Sequence, residues 1–330
     1  MKRIIYVFSD GEIKRKDNTV KLFCEDKNKF IPVENISDIF IFGEINITKK
    51  LLELLSQKEI LMHYFNYYGY YMGSFYPREH YNSGHVILKQ AEHYNNSNKR
   101  IKLAKKFVEG SLENIRKVLQ YYARQGVDIE ENIHFIDNTL IEIKEINDIN
   151  ILLSKEGHSR ENYYKSFDKI IKQNNFRFDK RTRRPPLNEL NTLISFGNSI
   201  LYTLILSEIY KTHLDPRIGY LHTSNFRSFT LNLDISEIFK PIIIDRIIFS
   251  TINKKILRKN HFYNEGDGII LKEAGMKKFV QEFDNRIAQT IKVRNINNKV
   301  SYRRLIRLEI YKIQKHLLGE KLYSPYINRW

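Results

Sequence analysis

The sequence predicts an α+β protein with a small N-terminal β-rich domain followed by a larger all-α C-terminal domain. Residues 1–85 carry short apolar runs separated by Gly, Asn and Asp turn signals, a pattern typical of strands. From about residue 86 apolar residues recur at three- and four-residue spacing, which indicates helices. We therefore assign residues 1–80 to the β-rich domain and 86–330 to the all-α domain, and a chain of 330 residues is long enough for both.

The elements of the first domain follow from its turn signals. From Arg3, "RIIYVFSDGEIKRKDNTVKLF" holds two apolar runs broken by Asp10-Gly11 and Asp17-Asn18. "SDIFIFGEINIT" predicts a strand, a turn and a strand, and "KKLLELLSQKEI" predicts a short amphipathic helix. The Tyr-rich stretch 64–76 is strand-like, and its rings either pack a sheet or dimer interface or stack on bases.

The second domain is predicted as a helical bundle. Residues 141–171 are predicted as one helix, and residues 187–211 as a helix buried in the bundle, because they are apolar nearly all round. A further helix starts near Leu233 and meets Pro241, which either kinks it or opens the next helix. "AGMKKFVQEFDNRIAQTI" and "SYRRLIRLEIYKIQKHLLGE" complete the bundle.

Composition narrows the partners and the compartment. The net charge is +17; residues 1–85 hold 12 Lys+Arg and 11 Asp+Glu, so the remainder carries +16. Such a basic bundle indicates a polyanionic partner, most simply nucleic acid, although Lys-rich composition alone could give the same charge. The single cysteine, Cys24, excludes an intramolecular disulfide and fits a reducing compartment. With no signal peptide and no apolar run of membrane-spanning length, we expect a cytoplasmic protein without a membrane partner.

One candidate metal site lies in "GYLHTSNFRSFTLNLDISEIFKP", residues 219–241. Asp234 and Glu237 are three residues apart on a predicted helix and so are neighbours on one face. His222 lies in the connection before that helix, and Asp, Glu and His are ligands of divalent ions. The alternative is a structural histidine followed by acids that favour the helix dipole.

A second stretch, "LLSKEGHSRENYY", places Glu156 beside Gly157 inside a helix. Glycine there costs about 1 kcal/mol relative to alanine, so the pattern predicts close approach of another group. Arg160 follows one turn later, which puts a carboxylate and a guanidinium on a largely apolar face. Burying such charges is unfavourable unless they are paired or bound to metal. The alternative is a Glu156–Arg160 ion pair within the helix.

Two basic runs are candidate DNA-binding segments, because the planar guanidinium of Arg suits phosphate oxygens. One precedes the Pro185-Pro186 pair, and the other lies at a helix end. The alternatives are a solvated loop for the first run and compensation of a helix dipole for the second. The residues are Arg177, Lys180, Arg181, Arg183 and Arg184 in the first run and Lys254, Lys255, Arg258 and Lys259 in the second.

Four ordered motifs make the chain resemble the Cas1 family, the metal-dependent DNA endonuclease-integrases of CRISPR spacer acquisition. They are "EGHSRENYY", "RTRRPPLNELNTLISFGNSILY", "LDPRIGYLH" leading to "LNLDISEIFKPIIIDR", and "YKIQKHLLGEKLYSPY". Their order and the β-then-α layout extend the resemblance over the whole chain. The phrase "HTSNFRSFTLNLDISEIFKP" is most similar to the version found with type I-B systems.

The resemblance implies a site. The metal ligands of the family fall on Glu156, His222 and Glu237, with Asp234 assisting, either as a direct ligand or from behind the ligands. Arg160 is the Arg that follows the Glu-Gly pair and is expected to support the site. The expected ion is Mg²⁺ or Mn²⁺, which His and carboxylate ligands suit better than a Cys-rich zinc site would.

The resemblance also implies an activity and partners. A 3′-hydroxyl of a short foreign DNA fragment attacks a phosphodiester of the repeat array, and water attack gives nuclease activity, with no covalent protein intermediate. The substrates are double-stranded and branched DNA. The expected partners are a second copy of the chain, joined through the β-rich domain, and a small ferredoxin-like adaptation protein. The alternatives are a non-catalytic DNA-binding structural subunit of a defence complex and an unrelated metal-dependent nuclease.

Overall fold

The computed structural model describes residues 2–24, 27–78, 81, 83–223, 229–293 and 298–329. The chain divides into two compact units, residues 1–80 and 81–330. Strands dominate the first unit and helices dominate the second, which confirms the predicted fold class.

The first unit contains two four-stranded sheets. The first has the order β1-β5-β7-β8, in which β5 lies parallel to both β1 and β7 and β8 is antiparallel to β7. The second has the order β4-β3-β2-β6. The elements are β1 (Arg3–Val7), β2 (Gly11–Lys16), β3 (Thr19–Cys24), β4 (Lys27–Pro32), β5 (Ile36–Ile41), β6 (Ile45–Ile47), α1 (Lys49–Gln57), β7 (Leu61–Phe65) and β8 (Tyr71–Phe75).

The core of the first unit lies where the apolar faces of these elements meet. Strand β5 is buried at every position, as expected for a strand with parallel neighbours on both sides. Helix α1 buries Leu51, Leu54 and Leu55 against it. The Tyr-rich stretch forms the β7–β8 hairpin, whose tip and edge leave Tyr67 and Met72 about two-thirds exposed in this unit. Its contact with DNA or with a second copy stays a prediction.

The second unit is a helical bundle with two small hairpins, β9–β10 and β11–β12, that the sequence analysis missed. Helix α8 packs against α3 and α7. The elements are α2 (Gly84–Asn95), α3 (Ser97–Ala123), α4 (Glu130–Glu142), α5 (Ile149–Lys165), α6 (Phe167–Ile170), α7 (Glu189–Tyr210), α8 (Leu231–Phe239), a π-helical turn (Pro241–Asp245), α9 (Arg246–Asn253), β9 (Phe262–Glu265), β10 (Gly268–Leu271), α10 (Glu273–Ala288), β11 (Thr290–Ile291), β12 (Val300–Ser301) and α11 (Tyr302–Leu317).

Helix α7 is the buried helix expected over residues 187–211. By length and composition it could cross a membrane, and it is the one such helix among the residues that the structure describes. However, 89% of its apolar window is buried inside the protein, as expected for the central helix of a bundle.

Two helix predictions need correction. The single helix predicted over residues 141–171 is wrong, because α4 ends at Glu142 and α5 begins at Ile149. Asp148 caps α5 by accepting the N–H groups of Asn150 and Ile151 at 2.8 and 3.0 Å. The helix expected near Leu233 begins two residues earlier, and Pro241 opens a π-helical turn that runs directly into α9.

Candidate active site

Two helices and one loop of the second unit bring the predicted metal ligands together. Helix α5 supplies Glu156 and Arg160, α8 supplies Glu237, and the loop between α7 and α8 supplies His222. The Arg160 guanidinium joins the two helices: Nη2 donates to Glu237 Oε2 at 2.7 Å, and Nε lies 3.5 Å from Glu156 Oε1. The side chains of Glu156 and His222 are 12% and 17% exposed, so solvent reaches the cluster beside these two residues.

Asp234 lies behind His222 and holds its loop. One carboxylate oxygen accepts the backbone N–H groups of Tyr220 and Leu221, the latter at 3.0 Å. The other accepts the backbone N–H of His222 at 2.9 Å and pairs with His222 Nδ1 at 2.8 Å. A proton on Nδ1 leaves the lone pair of Nε2 free, which is the usual arrangement of a metal-binding histidine with a carboxylate behind it. This geometry favours a supporting role for Asp234 over direct ligation.

The same loop is pinned to the start of α8 by Gly219. A Cβ atom on Gly219 would lie 2.8 Å from the carbonyl carbon of Thr230, so a side chain would push the loop away. The Gly219 N–H donates to Thr230 Oγ1 at 2.9 Å, and that hydroxyl donates to the Arg217 carbonyl at 2.8 Å. The glycine before "YLH" therefore keeps His222 beside the helix that carries Glu237.

Glu237 is held between two cations. Besides Arg160, Lys240 donates to its other carboxylate oxygen from one turn further along the chain. Burial alone would raise the pKa of Glu237, but the charges of Lys240, Arg160 and His222 outweigh it and hold the pKa well below its usual range. Arg160 Nη2 also contacts Ser111 Oγ of α3 at 3.1 Å.

Glu156 has the opposite electrostatic environment. Burial and the charge of Glu237 raise the pKa of Glu156, and the positive charges of Arg160, Lys240 and His222 only partly offset them. Another carboxyl group, that of Asp245, lies 3.9 Å from Nη1 of Arg160. Burial raises the pKa of Asp245 to about 7. We call Glu156, Arg160, Glu237, Lys240 and Asp245 the Arg160 cluster.

The Arg160 cluster fits a divalent cation by its charge balance. Its three carboxyl groups outnumber its two cationic side chains, and burial together with the charge of Glu237 raises the pKa of Glu156. A cation would relieve that excess, and carboxylate and imidazole are donors that Mg²⁺ and Mn²⁺ accept. Within the described ranges, no three His, Cys, Asp or Glu side chains already stand in ligating positions. Binding would therefore require Glu237 to leave at least one of its cations.

The apolar face predicted around Glu156 and Arg160 is buried: Leu152, Arg160 and Tyr164 are each less than a tenth exposed. No described atom of the chain makes the close approach predicted at Gly157, because a Cβ atom there would have none within 4 Å, and approach by another molecule stays a prediction. The glycine lies at an exposed position beside Glu156, so it leaves open space next to the predicted ligand.

The two predicted basic runs lie on one surface. Two depressions of about 480 and 470 Å³ adjoin each other and share Asn175 and Lys259. Lys259 of the second run pairs with Glu189 at the start of α7 at 2.9 Å, beside the first run. The predicted residues that line the depressions are Arg177, Lys180, Lys255, Arg258 and Lys259.

The remaining predicted basic residues differ in exposure. Arg183, Arg184 and Lys254 are exposed but do not line the depressions. Arg181 is used inside the protein, where its guanidinium donates to Asn191 Oδ1 at 3.0 Å and to Ser195 Oγ at 2.9 Å on α7.

Sequence reasoning missed Lys240 and Asp245. Lys240 lies three residues after Glu237, so helical spacing could have placed it beside that carboxylate. Asp245 could not have been found this way, because the π-helical turn changes the spacing between it and Glu237.

The family model for CRISPR associated protein Cas1 matches residues 5–285. The chain belongs to the Cas1 family. It is 54% identical over its whole length to a Thermodesulfovibrio yellowstonii protein named CRISPR-associated endonuclease Cas1 2, with 100% of each chain covered. The resemblance inferred from the motifs is confirmed, and the type I-B assignment stays a prediction.

Solved structures extend the comparison. A Cas1 protein from Thermotoga maritima superposes with a TM-score of 0.88 at 44% identity, covering 98% of this chain and 99% of that one. A casposase bound to an integration product has the same TM-score at 20% identity and covers 100% and 96%. At that identity, the second likeness concerns the fold alone.

Proposed function

We propose that the chain is a metal-dependent DNA endonuclease and integrase of CRISPR adaptation. It would insert foreign DNA fragments as new spacers into the repeat array. In this reaction the 3′-hydroxyl oxygen of the fragment bonds to a phosphorus atom of the repeat, and the phosphodiester bond of the repeat strand breaks to leave a new 3′-hydroxyl. Attack by water on the same phosphorus would give nicking.

The observation that carries this proposal is the excess of carboxylates in the Arg160 cluster. Buried charges that serve only stability are paired with opposite charges. Here Glu156 has a raised pKa and stands beside Glu237, and both lie near a histidine that Asp234 orients. Membership in the Cas1 family supports a nuclease or integrase role for such a site.

The roles of the residues follow from their positions. Glu156, Glu237 and His222, through Nε2, would hold Mg²⁺ or Mn²⁺, which would neutralise charge on the phosphate and activate the attacking oxygen. Asp234 fixes the ring of His222, and Arg160 sets the distance between α5 and α8. No protein side chain is required to form a bond to phosphorus.

The basic surface formed by the two runs would track the DNA backbone. Arg177, Lys180, Lys255 and Arg258 are exposed around the depressions and can contact phosphates. A homodimer and a small ferredoxin-like partner remain part of the proposal. One structure with this fold is titled a Cas6-RT-Cas1–Cas2 complex, at 17% identity.

The test is strand transfer and nicking of branched DNA by the purified full-length chain with Mn²⁺, alone and with the small partner. We expect His222→Ala to abolish both reactions and to leave DNA binding intact. His134→Ala, at an exposed position of α4, is the matched control and should keep full activity. Full activity of His222→Ala would show that the site assignment is wrong.

The alternative is a non-catalytic DNA-binding subunit, favoured by the net charge and the basic surface alone. It predicts DNA binding by the wild-type chain and no reaction with either Mg²⁺ or Mn²⁺, with or without the partner. DNA binding without any reaction would overturn the proposal in favour of the non-catalytic subunit.

A further inference from the structure

The π-helical turn Pro241–Asp245 changes which side chains share a face with Glu237. Its backbone signature is the N–H of Asp245, which donates to the carbonyl of Lys240 five residues earlier, at 3.1 Å. An α-helix advances about 100° per residue, so Asp245 would lie about 80° away from Glu237 in an uninterrupted helix. One extra residue in the turn returns Asp245 to within about 20° of the Glu237 face. The turn therefore aims a second carboxylate at the same guanidinium.

Asp245 faces Arg160 without bonding to it. Arg160 Nη1 and Asp245 Oδ2 are 3.9 Å apart, which is too long for a hydrogen bond. Among the described residues, the buried Arg160 Nη1 has no hydrogen-bond partner. Tyr163 lies close enough to Asp245 for a side-chain hydrogen bond that lowers the pKa of Asp245. An unpaired buried guanidinium nitrogen is rare and unfavourable, so Nη1 calls for an explanation.

The explanation lies at the second terminal nitrogen of the Arg160 guanidinium, Nη2. Nη2 of the guanidinium is bonded to Glu237, which the proposed function makes a metal ligand. A carboxylate oxygen that ligates a cation is a poor acceptor for a guanidinium, since the two positive charges repel each other. Arg160 is only 8% exposed, so solvent cannot satisfy it once it leaves Glu237. A carboxylate oxygen of Asp245 is in place 3.9 Å from Arg160 Nη1.

We propose that Asp245 is a positioning residue that receives the Arg160 guanidinium when Glu237 ligates a divalent cation. This inference rests on the proposed function. In the structure Arg160 pairs with Glu237, and with a cation on Glu237 its Nη1 would donate to Asp245 Oδ2. The required movement is small, because charge-assisted hydrogen bonds are about 2.8 Å long. The exchange keeps the buried guanidinium paired in both states.

A structure of the full-length wild-type chain with Mn²⁺ tests the exchange without any substitution. We expect the Arg160 Nη1 to Asp245 Oδ2 distance to shorten to hydrogen-bond length, and Arg160 Nη2 to leave Glu237 Oε2. Bound Mn²⁺ with Arg160 still on Glu237 would overturn this inference alone. Failure of the wild-type chain to bind Mn²⁺ would overturn both this inference and the proposed function.

Calorimetric titration with Mn²⁺ supplies a second test through a double-mutant cycle. Asp245→Asn should weaken Mn²⁺ binding by about 10- to 100-fold, the range found for residues that support metal ligands. In an Arg160→Gln background the same substitution should change the affinity less than about twofold, because Asp245 acts through Arg160. Asp137→Asn, which removes the acceptor of Arg116 on the same helical unit, is the matched control and should leave the affinity unchanged.

A purely structural Asp245 would give a different pattern. Asp245→Asn would then lower the melting temperature of the metal-free protein while the folded protein kept its wild-type Mn²⁺ affinity. Equal losses of affinity in the presence and absence of Arg160 would also overturn the inference. If Asp245→Asn does not fold, the wild-type Mn²⁺ structure decides.

Discussion

Two buried clusters in the helical unit each combine glutamate with cationic side chains, and they differ in charge balance. In one, Glu208 of α7 is fully buried and pairs with Arg303 and Arg307 of α11, with Lys211 at 3.7 Å. We call these four residues the Glu208 cluster. It has one carboxylate for three cations, whereas the Arg160 cluster has three carboxyl groups for two cations. In the first both carboxylate oxygens are bonded by arginine, and in the second the carboxyl groups outnumber the cations.

The difference separates a structural ion cluster from a candidate metal site. In the Glu208 cluster both carboxylate oxygens accept from an arginine, so the charges join α7 to α11. In the Arg160 cluster the pKa of Glu156 is raised, and Arg160 Nη1 has no hydrogen-bond partner among the described residues. Substitutions that remove one carboxylate should therefore affect stability in one cluster and activity in the other.

Glu156→Gln should produce the largest effect. We expect strand transfer in Mn²⁺ to fall by at least about 100-fold, because the amide cannot replace an anionic ligand. Stability should be unchanged or higher, since the substitution removes a charge that its surroundings disfavour. Glu161→Gln, at an exposed position of the same helix, is the control for DNA strand-transfer assays. If Glu156→Gln lost stability but kept its activity, the Arg160 cluster would be a structural ion cluster like the Glu208 cluster.

Glu208→Gln should produce the reverse result. Arg303 and Arg307 are about a fifth exposed, so losing their buried carboxylate should lower the free energy of unfolding by about 1–3 kcal/mol, less than for a fully buried pair. Denaturant titration measures the loss. The fraction of protein that stays folded should keep wild-type strand-transfer activity and Mn²⁺ affinity. Lost Mn²⁺ affinity in folded Glu208→Gln would remove the distinction between the clusters.

The pH dependence of the free energy of unfolding should also distinguish the two clusters, by a smaller effect that comes from His222. Burial alone would lower the pKa of His222, but the hydrogen bond and charge of Asp234 and the charge of Glu237 outweigh it, so the pKa is raised. A raised pKa stabilises the folded protein below the unfolded value of about 6.5, and this contribution is lost as pH rises through the folded value.

In EDTA, the wild-type chain should have a larger free energy of unfolding than His222→Gln at about pH 6. This difference should therefore shrink as the pH rises to about pH 9. The difference between wild type and Glu208→Gln should stay flat over the same range, because the Glu208 cluster contains no histidine. An excess that grows with pH would contradict the assigned His222–Asp234 pairing.

Substitutions on the basic surface should have the smallest effect per residue. Arg177→Ala and Lys255→Ala should each weaken DNA binding uniformly across sequences and reduce the slope of log affinity against log salt by about 1. Lys321→Ala, at an exposed position near the C-terminal end, is the control. Binding measured by fluorescence anisotropy over a salt series checks this, and unchanged slopes would remove the two runs from the DNA interface.

Much of the fold was predictable because the patterns are local. Apolar spacing identified α1 and α7, and glycine and aspartate signals identified the first strands. The break at residues 143–148 was missed because the apolar spacing continues across it, and the cap at Asp148 ends that continuity. The short hairpins in the helical unit were missed because two- and four-residue strands carry little periodicity.

The candidate site was predictable only in part. Spacing and family motifs pointed to Glu156, His222 and Glu237. The structure places the two glutamates on Arg160, and His222 lies near enough to Glu237 to influence its pKa. The positions of Asp234 behind His222 and of Asp245 beyond Arg160 depend on a pinned loop and a π-helical turn. Neither feature has a sequence period, so only three-dimensional packing reveals them.

Calorimetric titration of the metal-free chain with Mn²⁺ tests the central claim most directly. The account predicts one Mn²⁺ per wild-type chain, lost in Glu156→Gln and retained in Glu161→Gln. Binding should weaken as pH falls, because protons compete with the ion for His222 and Glu156, whose pKa values are both raised. Wild-type protein that binds no Mn²⁺, or Glu156→Gln that binds it with unchanged affinity, would contradict the account.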